Sequence, residues 1–217
     1  MTGIAPRNPP KPTVVLLVRH GQTPTTGTSL PGRAPGLHLA DTGNAQAAAV
    51  AERIAELKKV DAVYASPLER TRETAAPIAK ALKQRVKIER GLLECDFGAW
   101  TGKKLKDLMK KPEWRTVQRY PSGFRFPGGE SFVEMQDRMT GTLQKLAAAH
   151  RGGVIVAVSH ADPIKAAAAH ALGTHLDLFQ RIVISPCSVT AILYSADGPV
   201  VLTVNSITGS LSSLAPS

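Results

Sequence analysis

The sequence predicts an α/β fold: a single three-layer α/β/α domain on a mostly parallel central sheet, of the kind that carries its ligand site at one sheet edge. Three observations predict it. First, two uninterrupted apolar runs, Val-Val-Leu-Leu-Val at 14–18 and Val-Ile-Val-Ala-Val at 154–158, have the length and β-branched content of strands covered on both faces. Second, shorter strand-like runs alternate with helical patterns elsewhere in the chain. Third, both apolar runs stop abruptly in polar tips that carry histidine: Arg19-His20-Gly21 and Ser159-His160-Ala161-Asp162. A cation and an imidazole at the end of a buried strand are costly unless something uses them. The carboxyl ends of strands in an open α/β sheet are where ligands bind.

The chain has 217 residues, 43% hydrophobic and 20% charged. That suits one domain with a packed core, and disorder is not the default expectation. Aromatic residues are only 5%, so the core is expected to be Val, Leu, Ile and Ala. No apolar run reaches the length of a membrane span, and the N-terminus lacks the apolar stretch of a signal peptide. Two cysteines, Cys95 and Cys187, make no disulfide framework, and a reducing cytoplasm is the natural compartment. The net charge of +10 is compatible with nucleic-acid binding, with attraction of small anions or with solubility alone. No basic-aromatic nucleic-acid module is present, so no nucleic-acid partner and no membrane partner are expected. A homodimer stays open.

Residues 1–12, with four prolines, read as a flexible leader. The domain proper is expected over 13–207, and 208–217, rich in serine, as a loose tail. After the first strand, 22–40 is a Thr-, Pro- and Gly-rich loop that should wall the site. Asp41 can cap a helix over 41–58. A short strand at 61–65 feeds Ser66 and Pro67, an N-cap and first-turn pair, which places Arg70 near the positive end of a helix. Pro77 should kink or interrupt that helix. Residues 86–88 form an edge strand. Glu94 lies in a glycine-bounded loop. Residues 103–111 read as a basic helix and 112–129 as irregular, so that 103–129 resembles a flap or lid more than core. A clear amphipathic pattern runs from 130 to 150, with Phe132, Met135, Met139, Leu143 and Leu146 on one face. Past the second long strand come an Ala-rich helix to 172 and strands at 182–184, 188–194 and 199–205. Ala196-Asp197-Gly198 joins the last two as a hairpin.

Two histidines, two arginines and one carboxylate thus fall at strand ends or in loops. Arg19 beside His20 argues against a metal site, and there is no His-Glu-x-x-His or paired-Cys spacing. A Gly-x-Ser-x-Gly elbow is absent. Two guanidiniums with two imidazoles call for a dianion. Phosphoryl transfer needs that charge stabilisation and an in-line nucleophile, which neutral His can be. The remaining histidines, His38, His150, His170 and His175, have no motif around them.

Five blocks in order carry a family resemblance. They are Arg19-His20-Gly21, the run from Ser66 through Arg70 to Ala75, Glu94 with Phe97-Gly98-Ala99-Trp100-Thr101-Gly102, Pro127-Gly128-Gly129-Glu130-Ser131, and Ser159-His160-Ala161-Asp162-Pro163. Over 14–205 the chain resembles the histidine phosphatase superfamily, in its phosphoglycerate-mutase-like branch. The resemblance implies that His20 is a nucleophile that becomes phosphorylated. It implies that Arg19, Arg70 and His160 form the phosphate pocket and that Glu94 donates a proton. No metal and no organic cofactor are implied. Gly21, Thr26 and Ala161 are the expected substrate contacts. Pro24-Thr25-Thr26 stands where mutase-type members carry Trp-Asn, so Thr26 is a substitute for the usual Asn contact. Ala161 stands where many members have Gly. Asp162 is either a helix cap, the favoured reading, or a second acid. The expected activity is hydrolysis of a small phosphorylated metabolite. A phosphoglycerate-type mutase is the alternative, disfavoured by the short chain. A non-catalytic phospho-ligand binding module would predict loss of His20 or Glu94, and both are present.

Overall fold

A computed structural model describes residues 11–214, so most of the expected leader, residues 1–10, and the last three residues lie outside it. Six strands form one sheet in the order β3-β2-β4-β1-β5-β6: β1 Thr13–Arg19, β2 Ala62–Ala65, β3 Val86–Ile88, β4 Val154–Ser159, β5 Val189–Ser195 and β6 Gly198–Ser206. The first four are mutually parallel, and the β5–β6 hairpin adds on antiparallel to β1. The two long apolar runs are therefore adjacent central strands.

Side-chain alternation along β1 divides the interior. Val14, Leu16 and Val18 face α1 (Asp41–Ala55) and α2 (Glu69–Ala81). Val15 and Leu17 face α5 (Phe132–Ala149) and α6 (Ala161–Ala171). Helices on both faces explain why 14–18 and 154–158 are apolar without interruption up to their tips. In α5 all five apolar positions expected from the periodicity are buried. A capping box between Ser131 and Glu134 fixes the helix start.

Several local expectations are corrected. Asp41 is the first residue of α1, not its cap, and no side chain caps that end. The second helix starts at Glu69, three residues after Ser66, because Ser66 is held by another partner described below. Pro77 lies inside α2 without ending it. Residues 112–129 are not irregular throughout: after α3 (Leu105–Leu108), Pro112 opens α4, Pro112–Arg119. Nor is the 103–129 excursion short of core. Phe97, Trp100, Leu108, Val117, Phe124 and Phe126 bury together against Phe132 and Phe179 as a third apolar cluster. Residues 182–184 form no strand. The tail expected to be loose is anchored at least as far as Leu214. Leu211 is 1% exposed in the α1/α2 core, and Arg53 donates to the Ser206, Thr208 and Gly209 carbonyls. Among the described residues no helix is long and apolar enough to cross a membrane.

Candidate active site

The register of the central strands builds the site. Arg19 pairs with Ser159 across β1 and β4, so the next residues, His20 and His160, leave the sheet side by side. The His20 N–H donates to the Ser159 carbonyl at 3.0 Å, and the imidazoles meet edge to face with centroids 5.3 Å apart. On the other side of β4, Ala65 pairs with Val158, which brings Ser66 beside His160. α2 follows and delivers Arg70 in its first turn, 0% exposed. Gly21 allows the close approach of this turn to α1: a Cβ there would lie 2.5 Å from the Gly43 carbonyl oxygen.

Hydrogen bonds settle the tautomers. His20 Nδ1 lies 2.7 Å from the Gly21 carbonyl oxygen, which can only accept, so Nδ1 carries the proton. Nε2 is left with its lone pair. Burial first, and the Arg70 charge second, push the His20 pKa down to about 3, against the Gly21 hydrogen bond. His20 is thus a neutral imidazole with a free nitrogen at ordinary pH. His160 accepts at Nδ1 from Arg70 Nη2 at 3.2 Å and donates from Nε2 to Ser66 Oγ at 2.9 Å. Burial, with Arg70 next, holds its pKa well below the usual histidine value.

The guanidiniums are only partly satisfied. Arg19 Nη1 donates to the Ile184 carbonyl at 2.6 Å, and Arg70 Nη2 also donates to the Gly32 carbonyl at 2.8 Å. Arg19 Nε, Arg70 Nε and Arg70 Nη1 are buried without an acceptor among the described residues. Each such donor costs on the order of 1–3 kcal/mol, more when charged. A dianion beside Arg19, within the field of the buried Arg70, would offset part of that cost.

Beside His20 lies a cavity of about 160 Å³ whose walls include Arg19, Thr23, Thr26, Glu94, Phe97, Leu105, Ala161 and Asp162. Thr26 and Ala161 both line this cavity. Thr26 Oγ1 also accepts from the Thr23 N–H at 2.9 Å. Arg70 and His160 touch each other behind His20 and do not line the cavity. Gly21 does not line it either: its place is set by α1 and by its N–H, which donates to Thr74 Oγ1 at 3.0 Å. Asp162 is not the helix cap. His160 holds that position without a side-chain bond, and Asp162, in the first turn of α6, faces the cavity with Lys165 Nζ at 3.4 Å.

Glu94 is 8% exposed among Leu92, Leu93, Cys95 and Phe97. The Cys95 N–H donates to its Oε1 at 3.0 Å. Burial first, and the Asp162 carboxylate second, push its pKa up to about 7, against the pull of Arg70. An acid with that pKa, a neutral imidazole and two under-satisfied guanidiniums are the parts needed to move a phosphoryl group. Among the described residues, no three His, Cys, Asp or Glu side chains gather as a metal site. Sequence reasoning missed Ser66 and Thr74 as supports of the two tips. It also missed Arg33, Arg138 and Glu130, which hold the Glu94 loop. Glu130 stood in a recognised block without a role, and nothing local marks the other two.

A family model described as histidine phosphatase superfamily (branch 1) matches residues 15–207. The chain is 32% identical over 196 residues to phosphoserine phosphatase 1 of Hydrogenobacter thermophilus, covering 88% of this chain and 91% of that one. It is 33% identical over 190 residues to a bifunctional protein of Mycobacterium tuberculosis; the match covers 86% of this chain and spans only about half, 52%, of that protein's length. Among solved structures, a mutant phosphoserine phosphatase from Entamoeba histolytica in complex with phosphoserine superposes with a TM-score of 0.80. The identity is 25%, over 90% of this chain and 98% of that one.

Proposed function

The chain belongs to the histidine phosphatase superfamily, branch 1, and from that premise we propose that it hydrolyses a small phosphomonoester through a phosphohistidine at His20. One observation carries the reading: a neutral imidazole with its Nε2 lone pair free stands against guanidinium nitrogens that lack acceptors. In the first step Nε2 attacks phosphorus. The bond to the leaving oxygen breaks, its electron pair stays on that oxygen, and Glu94 protonates it. In the second step Glu94, now a carboxylate, takes a proton from water, the hydroxide oxygen bonds to phosphorus, and the N–P bond breaks. Arg19 and Arg70 compensate the charge on the phosphoryl oxygens, which is the work a Mg²⁺ does in other phosphoryl-transfer sites. His160 holds Arg70 in place and packs against the nucleophile. Thr26 and Ala161 touch the substrate at the cavity wall. The phosphoserine phosphatases among its relatives support a small phosphorylated metabolite as substrate. Two buried free thiols, Cys95 and Cys187, support a reducing compartment such as the cytoplasm.

The test is turnover of a panel of phosphomonoesters with and without EDTA. Hydrolysis that persists in EDTA and is inhibited by vanadate is expected. Activity lost on chelation and restored by added metal would overturn the mechanism.

The pH profile follows from the two ionisations. Glu94 must be protonated to act as an acid, and its pKa is raised to about 7. His20 must be neutral, and its pKa is lowered to about 3. Hence kcat/KM for an alkyl phosphate should fall as pH rises through about 7. After correction for the substrate's own second ionisation near 6, no acid limb from His20 should appear above about pH 4. A rate independent of pH from 6 to 9 would remove Glu94 as the proton donor.

A further inference from the structure

We infer that Arg138, a residue that touches neither the cavity nor His20, is a positioning residue that sets the catalytic placement of Glu94 through its main chain. The inference rests on the reading of Glu94 as the acid. Arg138 lies on the second turn of α5, where the periodicity gives it no apolar role. Its guanidinium nevertheless has all five N–H donors engaged. Nη1 donates to the Gly91 carbonyl at 2.7 Å and the Leu93 carbonyl at 2.9 Å, and Nη2 donates to the Glu94 carbonyl at 3.3 Å. Nε and Nη2 form a two-pronged pair with the Glu130 carboxylate, each at 2.9 Å.

Glu130 closes the clamp from below. Its Oε2 accepts from the Asp96 N–H at 3.1 Å and pairs with Arg33 Nη2 at 2.8 Å. Arg33 Nε in turn donates to the Glu94 carbonyl at 2.8 Å. The Glu130 N–H donates to the Asp96 carbonyl at 2.9 Å. Two arginines therefore converge on the one carbonyl oxygen of Glu94, and one carboxylate ties both to the residue two places on. The loop has no regular secondary structure across Leu93 to Phe97, so these bonds replace the ladder that would otherwise fix it. Only a planar fork can serve three carbonyls and a carboxylate at once; an ammonium cannot. General acid catalysis needs the proton within hydrogen-bond reach of the leaving oxygen. A displacement of about 1 Å can cost on the order of 10²-fold.

The test compares an alkyl phosphate, which needs an acid, with p-nitrophenyl phosphate, whose phenolate leaves unaided. Arg138→Lys keeps the charge and loses the fork. It should lower kcat on the alkyl phosphate by about 10- to 100-fold and on p-nitrophenyl phosphate by no more than a few-fold. Added to Glu94→Gln it should cost almost nothing more on the alkyl phosphate, because the two changes remove one function. Near-UV circular dichroism reports whether the variant folds. If it does not, Arg33→Met, which removes the other donor to the same carbonyl from a partly buried position, should show the same selective loss at smaller size. Equal losses on both substrates, or losses that add to those of Glu94→Gln, would overturn the inference. Wild-type-like alkyl phosphate turnover in Arg138→Lys would do the same. Should Glu94→Gln itself lose both substrates equally, the reading of Glu94 falls first. Should Glu94→Gln be selective and Arg138→Lys not, this inference alone falls.

Discussion

Replacing His20 with alanine should lower phosphatase activity on the order of 10⁴- to 10⁶-fold, the range seen when a catalytic nucleophile is removed. The protein should remain folded. His20 is 6% exposed at the rim of the cavity, and its side chain makes a single local hydrogen bond, to the next residue's carbonyl. The main-chain bond from His20 to Ser159 that holds the β1 tip on β4 survives the change. Quenching the wild-type protein with labelled substrate in alkaline detergent should trap a base-stable phosphoenzyme that loses its label in acid, and the variant should trap none. Normal turnover in His20→Ala would end the phosphohistidine mechanism. Full label on a residue other than His20 would move the nucleophile elsewhere.

Glu94→Gln should be nearly as damaging, but selectively. An acid catalyst contributes on the order of 10²- to 10⁴-fold where the leaving group is poor. Alkyl phosphates should therefore lose about that much, while p-nitrophenyl phosphate loses far less. Burial is what makes the carboxyl available as an acid near neutrality, and Asp162 adds to it. Because Asp162 faces the same cavity, the matching variant Asp162→Asn separates two roles. If Asp162 only raises the pKa of Glu94, its variant should shift the alkaline limb of the profile to lower pH and retain the selectivity for alkyl phosphates. A selective loss of alkyl phosphate turnover in Asp162→Asn, with Glu94→Gln unaffected, would transfer the acid role to Asp162. Equal losses on both substrates in Glu94→Gln would make Glu94 structural.

The sheet and its two histidine tips were legible because a strand buried on both faces leaves an unmistakable trace, an apolar run with no polar interruption. The periodicity of α5 was legible for the same reason: Phe132, Met135, Met139, Leu143 and Leu146 all point one way. Local chemistry misled where tertiary contacts outbid it. Ser66 followed by Pro67 is good capping grammar, yet its hydroxyl serves His160, and α2 waits until Glu69. Asp162 has capping grammar too, and faces the cavity. Trp114 and Val117 one helical turn apart, after Pro112 at a first-turn position, are the local signal of α4, diluted by the prolines and glycines that surround it. Leu211 and Leu214, set in a serine-rich tail, give no local sign that they pack on the core. Arg138 could not be found at all. Its partners lie at Glu130 and at three carbonyls more than forty residues earlier, and main-chain acceptors leave no mark in a sequence.

The central position of β1 has a price during synthesis. Its neighbours in the sheet are β4 and β5, and Val14 meets Val154 about 140 residues later in the chain. At a translation rate of 5–20 residues per second, β1 is made roughly 7 to 28 s before the first strand able to cover it. For that interval Val-Val-Leu-Leu-Val is a short, uncharged, β-branched segment with both edges open, the composition that pairs readily with the same segment of another nascent chain. No α1–α2 intermediate can shield those edges, since both helices cover one face of the strand only. A ribosome-bound chain of this protein therefore carries residues 13–19, an adhesive element, unpaired until β4 has been made.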